Sequence, residues 1–159
     1  MNQNNLQKTV SANLNISQIP LDSSIDYELD EKTPWIKDLY DELEEQTDRE
    51  DKEYSKGNLN IDFSLKRRSE KPFGDHLLIK GHIEVDYFYP CVRCLKLTQQ
   101  KISEDFNCSF LHSHMESMPE FEEADDIFTE GEEFDLYFHN KGKVNLAEAI
   151  HEQIYIHAD

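Results

Sequence analysis

The sequence predicts an α+β fold: an antiparallel, barrel-like β-sheet packed by two helices, with acidic flexible segments. Apolar residues recur at every second position over 59–65 and 77–89, the pattern of strands that bury one face. Stripes at helical spacing over 34–43 and 145–154 supply the helices, and carboxylates crowd into stretches with little to bury. At 159 residues the chain fits one domain around a single core. A charged fraction of 31% against a hydrophobic fraction of 37% leaves part of it outside that core. Residues 1–12 are expected to be a flexible N-terminus and 13–159 one domain, with its core at 57–111 and 134–156 and an acidic loop at 112–133.

Each element has its own signal. Leu14 and Ile16, then Ile19-Pro20-Leu21, then Ile25, Tyr27 and Leu29 read as extended chain. Thr33-Pro34 places an N-cap before a proline at the first helical position, and Ile36, Leu39, Tyr40 and Leu43 follow as one stripe. EEQTDREDKEYSKG, residues 44–57, has almost nothing to bury and reads as a frayed end and linker. Leu59, Ile61, Phe63 and Leu65 form one strand face. After the turn-like KRRSEKPFGD, Leu77, Ile79, Ile83, Val85, Tyr87 and Tyr89 form the next, with His76 and His82 on its polar side. Gly81 interrupts that apolar row, as a bulge or a closely approaching backbone would require. Pro90 stops the strand and Cys91-Val92-Arg93-Cys94 turns the chain. Leu95, Leu97, Ile102, Phe106, Cys108 and Phe110 return as a strand whose register changes near 98–101. Phe134, Leu136 and Phe138 give a last short strand. Asn145 with Glu148 forms a capping-box pattern ahead of Leu146, Ile150 and Ile154.

The net charge of −18 opposes nucleic-acid binding, which depends on Lys and Arg displacing counterions. The distribution of charge along the chain points the other way. Residues 26–53 hold 13 acids and residues 116–135 hold 10, whereas 66–101 carry eight bases against four acids. Lys66, Arg67, Arg68, Arg93 and Lys96, interleaved with aromatics, form a stretch able to hold an RNA backbone while rings stack on bases. The competing reading is a solvated sheet face with ordinary core aromatics. Tyr87 and Tyr89 fall on the apolar side, so Phe88 is the better exposed candidate. The acidic arms solubilise the chain, mask the basic face or receive a basic protein.

No apolar run resembles a signal segment or a membrane span, so the expected location is the cytoplasm. Three cysteines are too few for a disulfide framework. Cys91 and Cys94 have the spacing of two zinc ligands, and Cys108, His112 and His114 would have to complete a set of four. The simpler reading is a tight turn whose thiols pack against the core, with no cofactor. A redox pair would open a helix, and this pair leads into a strand. No GxSxG, Walker A, GxGxxG or HExxH pattern occurs, and carboxylates are too abundant for their pairing to mean hydrolysis. A non-catalytic role is expected.

GHIEVDYFYPCVRCL at 81–95, an alternating strand after it, and VNLAEAIHEQIYI at 144–156 together resemble the bacterial YceD family, also called the large ribosomal RNA subunit accumulation proteins. In that family a strand containing Gly leads into Cys-x-Arg-Cys-Leu, an acidic variable stretch follows, and an Asp-Leu segment opens a helix carrying a Glu. The positions here are Gly81, Cys91, Arg93, Cys94, Leu95, Leu146 and Glu152, with Asn145 in place of the Asp. The resemblance covers roughly 57–156, with a weaker echo at Ile19-Pro20-Leu21 and Tyr27. It implies support of 23S rRNA accumulation and large-subunit assembly, through the rRNA or its precursor or through a basic ribosomal protein. Many members continue into a Leu-Pro segment, and some then carry a further cysteine cluster. In this sequence Ile156-His157-Ala158-Asp159 stands where that segment begins.

Overall fold

The computed structural model describes residues 6–158. In chain order these form β1 (Leu6–Gln7), β2 (Asn13–Asn15), β3 (Ser24–Leu29), α1 (Pro34–Leu43), β4 (Asn58–Glu70), β5 (Gly74–Pro90), β6 (Leu97–His112), β7 (Asp126–Thr129), β8 (Glu132–His139), β9 (Lys143–Asn145) and α2 (Leu146–His157). Seven strands make one sheet in the order β1-β3-β4-β5-β6-β8-β7, and β2 pairs with β9 beside it. The α+β class and the two helices agree with the sequence. The barrel does not form, because β1 and β7 end the sheet as separate edges. Nor is the sheet wholly antiparallel: β1 runs parallel to β3, and β8 parallel to β6. A parallel neighbour needs a long crossover, and residues 113–131 supply it.

Alternation sorts the side chains between two faces. Leu59, Ile61, Phe63 and Leu65 of β4 join Leu77, Ile79, Ile83, Val85 and Tyr87 of β5 and Ile102, Phe106, Cys108 and Phe110 of β6 in one core. Ile36, Leu39 and Tyr40 of α1 and Leu146, Ala149, Ile150 and Ile154 of α2 cover that face. The β5–β6 ladder runs unbroken from Leu77↔Phe110 to Pro90↔Leu97, so the expected change of register is absent. Leu97 lies on the opposite face from Ile102, as five residues along a strand require. Gly81 sits between its cross-strand partners Phe63 and Phe106. A Cβ there would lie 2.5 Å from the Asp62 carbonyl oxygen and 2.6 Å from Phe63 Cβ. The gap in the apolar row is therefore filled from both neighbouring strands.

The other face is covered only in part. Residues 112–133, expected to be an acidic loop, contain β7 and bury Met115, Phe121 and Ile127 with Phe73, Leu78, Leu111 and Phe134 in a second core. His76 belongs to that side and is fully buried, not solvated; its Nδ1 lies 2.7 Å from the Gly74 carbonyl oxygen. Of the expected flexible N-terminus, residues 1–5 lie outside the described residues. Leu6 and Gln7 pair with Asp26 and Tyr27, and Trp35 Nε1 donates to the Val10 carbonyl at 2.8 Å.

Residues 44–57 are not a free linker. Glu44 is 2% exposed, and its carboxylate accepts four hydrogen bonds: Arg49 Nε at 3.0 Å and Tyr54 Oη at 2.6 Å on one oxygen, Tyr40 Oη at 3.0 Å and the Phe88 N–H at 2.9 Å on the other. Thr47 Oγ1 donates to the Phe88 carbonyl at 2.6 Å. The ladder between β4 and β5 ends at Asn58↔Asp86. Glu44 and Thr47 thus satisfy the β5 backbone where the neighbouring strand has run out. Thr33 precedes α1 as expected, yet its hydroxyl makes no cap bond and has no partner among the described residues.

Candidate nucleic-acid interface

The bases singled out in the sequence fall into two groups. On the sheet, Lys66 pairs with Glu130 at 3.2 Å, and Arg68 reaches Asp22 at 3.2 Å, Glu70 at 3.1 Å and also Glu130. Arg67 grips both oxygens of Asp75 at 2.9 Å and donates to the Ile19 carbonyl at 3.0 Å, so it serves as a structural clamp. Lys80 pairs with Glu132. Carboxylates from the β7–β8 hairpin thereby neutralise the stripe that composition marked as basic. Phe88 is not exposed: it is 9% accessible, covered by the Tyr54 ring at 5.5 Å. Its face was expected to be open, but the 44–57 segment folds across it.

The second group stands on the turn between β5 and β6. Arg93 and Lys96 are exposed, and neither forms an ion pair among the described residues; Lys101, also exposed, lies within β6 opposite Asp86. Val92 is 92% exposed and Leu95 77% exposed beside Arg93 and Lys96. The turn is closed by the Leu95 N–H donating to the Cys91 carbonyl at 2.8 Å and the Cys91 N–H donating to the Lys96 carbonyl at 2.9 Å. It places Leu95 at φ 61°, a left-handed conformation that costs a non-glycine residue about 1–2 kcal/mol. Since Leu95 buries little, Leu95→Gly is expected to raise stability by about 0.5–1 kcal/mol, the strain relief reduced by the glycine's greater unfolded-state freedom. Urea titration checks this; a loss of stability would assign Leu95 a packing role.

The cysteines lie on the same turn. Cys94 is exposed and Cys91 half-buried, so they do not pack against the core as the simpler reading expected. Hydrogen bonds from the Cys94 and Arg93 backbone N–H groups to the Cys91 sulfur, with the Cys94 thiol beside it, hold the Cys91 thiol below its usual range. Cys108 is fully buried, and desolvation holds its thiol well above that range. His112 ends β6 far from the turn, about 50 Å along the strand at the usual rise per residue. The ligand set Cys91, Cys94, Cys108, His112 and His114 therefore does not assemble. Among the described residues no group of three or more His, Cys, Asp or Glu side chains is placed to hold a metal ion.

The remaining motif positions are architectural. Gly81 is the contact point already described. Leu146, fully buried, opens α2, where Asn145 Oδ1 accepts from the Glu148 N–H at 3.0 Å. Glu152 on α2 accepts from Tyr137 Oη of β8 at 2.5 Å. These contacts lock α2 against the sheet. The residue that the sequence reading missed is Glu44, which anchors the strand leading to the turn. The one sign of it is Tyr54, a single aromatic in an acidic run.

Among the described residues no helix is long and apolar enough to cross a membrane. No curated protein and no solved structure matches the chain. The model of the family described as "Large ribosomal RNA subunit accumulation protein YceD" matches residues 79–159, about half of the sequence. The match opens within β5, passes through the Cys91–Leu95 turn, and takes in Leu146 and Glu152 on α2, whereas β4 and everything before it lie outside. The chain belongs to the YceD family.

Proposed function

We propose that this chain is a non-catalytic, cytoplasmic factor supporting 23S rRNA accumulation and large ribosomal subunit assembly, and that the β5–β6 turn is its contact with rRNA or its precursor. The observation behind this reading is the division of the bases: Lys66, Arg67, Arg68 and Lys80 on the sheet are held by carboxylates, while Arg93 and Lys96 stand exposed and without an ion pair among the described residues at the end of a long hairpin. Phosphate binding requires cations that have no internal anion to give up, and the turn supplies them. Arg93, between the two thiols, can meet a phosphate through two parallel hydrogen bonds. The exposed Val92 and Leu95 add apolar surface beside the charges.

The double variant Arg93→Glu with Lys96→Glu is expected to lower affinity for 23S rRNA fragments at least tenfold and to flatten the log affinity–log salt slope by about 1–2, with the melting temperature unchanged. Fluorescence anisotropy across a salt series measures both. Reversal of Lys66 and Arg68 instead breaks internal ion pairs and is expected to affect stability more than binding. Undiminished affinity in the Arg93–Lys96 variant would end the reading.

A second reading draws on the other pole of the molecule. Glu116, Glu120, Glu122, Glu123, Asp125 and Asp126 are exposed and form no ion pair among the described residues. They form a surface for a basic ribosomal protein. Neutralising them should abolish binding to such a protein and spare RNA; that outcome, with RNA affinity absent from the parent chain, selects this reading instead.

A further inference from the structure

Three turns distant in sequence meet at the end of the sheet opposite the cysteines: Lys71–Gly74, His112–Met115 and His139–Gly142. They line an open cleft of about 420 Å³. His139 ties them together, its Nδ1 accepting from the Gly142 N–H at 3.1 Å and its Nε2 lying 3.4 Å from the Asp75 carbonyl oxygen. It is 3% exposed, and burial keeps the ring neutral by lowering its proton affinity. The walls are therefore pinned by a satisfied imidazole, independently of any ligand.

The charge of this cavity is opposite to that of the chain. Lys71 and Lys141 are exposed on its lining and make no ion pair among the described residues. Its one carboxylate, Asp75, is already bound on both oxygens by Arg67. Four other cavities carry more carboxylates than bases: Glu28, Asp30 and Asp62 against two lysines in one, and Glu84 and Asp86 against Lys101 in another. In a chain of net charge −18, a cavity with spare cations is a departure from composition.

A pair of histidines adds one donor. The His114 N–H donates to His112 Nδ1 at 3.0 Å, and the two Nδ1 atoms lie 2.6 Å apart. His112 Nδ1 is thus an acceptor and the proton between the rings belongs to His114. That tautomer leaves His112 with its N–H on Nε2, a donor without a partner among the described residues. The remaining side chains of the lining are apolar: Pro72 is exposed, while Phe73, Met115 and Ile16 are 9%, 5% and 4% exposed and show only a little of their surface. Phe73 is held in place by the His76 and Phe121 rings, at 5.4 Å and 6.2 Å. A bare anion has no use for such a surface, whereas a flat heterocycle packs edge or face against it.

We propose that this cavity binds a nucleotide, its phosphate at Lys71, Lys141 and His112 and its base against Pro72 and the part of Phe73 left uncovered. A free mononucleotide and the phosphorylated end of an RNA share that chemistry. The site is separate from the β5–β6 turn and stands or falls apart from it.

Calorimetric titration of the full chain with 5′-AMP, adenosine and inorganic phosphate tests the proposal. AMP should bind at least tenfold more tightly than either fragment. Lys71→Glu with Lys141→Glu should weaken it at least tenfold without lowering the melting temperature, while Arg93→Glu with Lys96→Glu leaves it unchanged. A pentaadenylate with a 5′-phosphate, compared with its 5′-hydroxyl form, then separates the sources. Tighter binding of the phosphorylated oligomer than of AMP assigns the site to an RNA end, and equal or weaker binding assigns it to a free nucleotide. Failure of both AMP and the phosphorylated oligomer to bind overturns the proposal. So does affinity for phosphate equal to that for AMP, or binding indifferent to the lysine reversals.

Discussion

Replacement of Glu44 by Ala is expected to cost about 3–5 kcal/mol of folding stability, a large share of the roughly 5–15 kcal/mol that holds a domain of this size. The carboxylate is nearly inaccessible and accepts from two phenols, a guanidinium and a backbone N–H. Removing it strands four donors, and each buried donor left without an acceptor costs about 1–3 kcal/mol. Arg49 is itself 43% exposed and recovers hydration, so the loss falls mainly on Tyr40, Tyr54 and the Phe88 N–H. Glu44→Gln keeps the volume and one acceptor but turns an NH2 towards existing donors, and is expected to cost about 2–3 kcal/mol. Guanidinium titration reads both values. Hydrogen exchange should show loosening of the 86–90 end of β5, since Glu44 and Thr47 stand in for the missing strand there. A loss below about 1 kcal/mol for Glu44→Ala would show that water takes over the donors and that the 44–57 segment is not anchored as described.

Gly81→Ala is expected to destabilise by about 1–3 kcal/mol, against the usual gain when a glycine is replaced in extended chain. The added methyl would meet Asp62 O at 2.5 Å, Phe63 Cβ at 2.6 Å and Phe106 Cε1 at 2.8 Å. Phe106 can turn its ring, but Asp62 and Phe63 belong to the neighbouring strand, and Phe63 is stacked on Tyr27 at 5.2 Å. Relief therefore requires β4 and β5 to part, which weakens the ladder on both sides. Thermal unfolding in parallel with Gly81→Val should show a graded loss, larger for Val. A neutral Gly81→Ala would mean that the sheet relaxes at no cost and that the glycine is dispensable.

The two glycine-flanking phenylalanines show how much was legible from residue order. A period of two is a local property, so β4 and β5 and the apolar face they share could be read from Leu59–Leu65 and Leu77–Tyr89. The helices carried their own stripes and starting residues, Thr33-Pro34 and Asn145, and the Cys91–Leu95 turn was placed by Pro90. Arg93 and Lys96 were recognised as candidates because their residue type and surroundings are visible in the string. Their freedom from counter-charges was not.

What escaped the sequence rests on partners brought together by folding. Lys66 and Arg68 meet Glu130, and Lys80 meets Glu132, across separations of 64, 62 and 52 residues. A regional charge count assigns all of these bases to an open surface, since it holds no information about which carboxylate lies opposite. Phe88 was judged by the face its strand presents, yet whether that face is wet depends on where residues 44–57 settle. Residues 44–57 read as a linker because they hold almost nothing apolar to bury, and the four donors that make burial of Glu44 possible become apparent only once α1, Arg49, Tyr54 and β5 have converged. The sequence by itself determined the long strands, the two helices and the family, because short-range periodicity and motif order are encoded between neighbours. The tertiary structure alone decided which charges remain unpaired and which side chains are dry, because Coulomb interaction and desolvation depend on distance in space and not on distance along the chain.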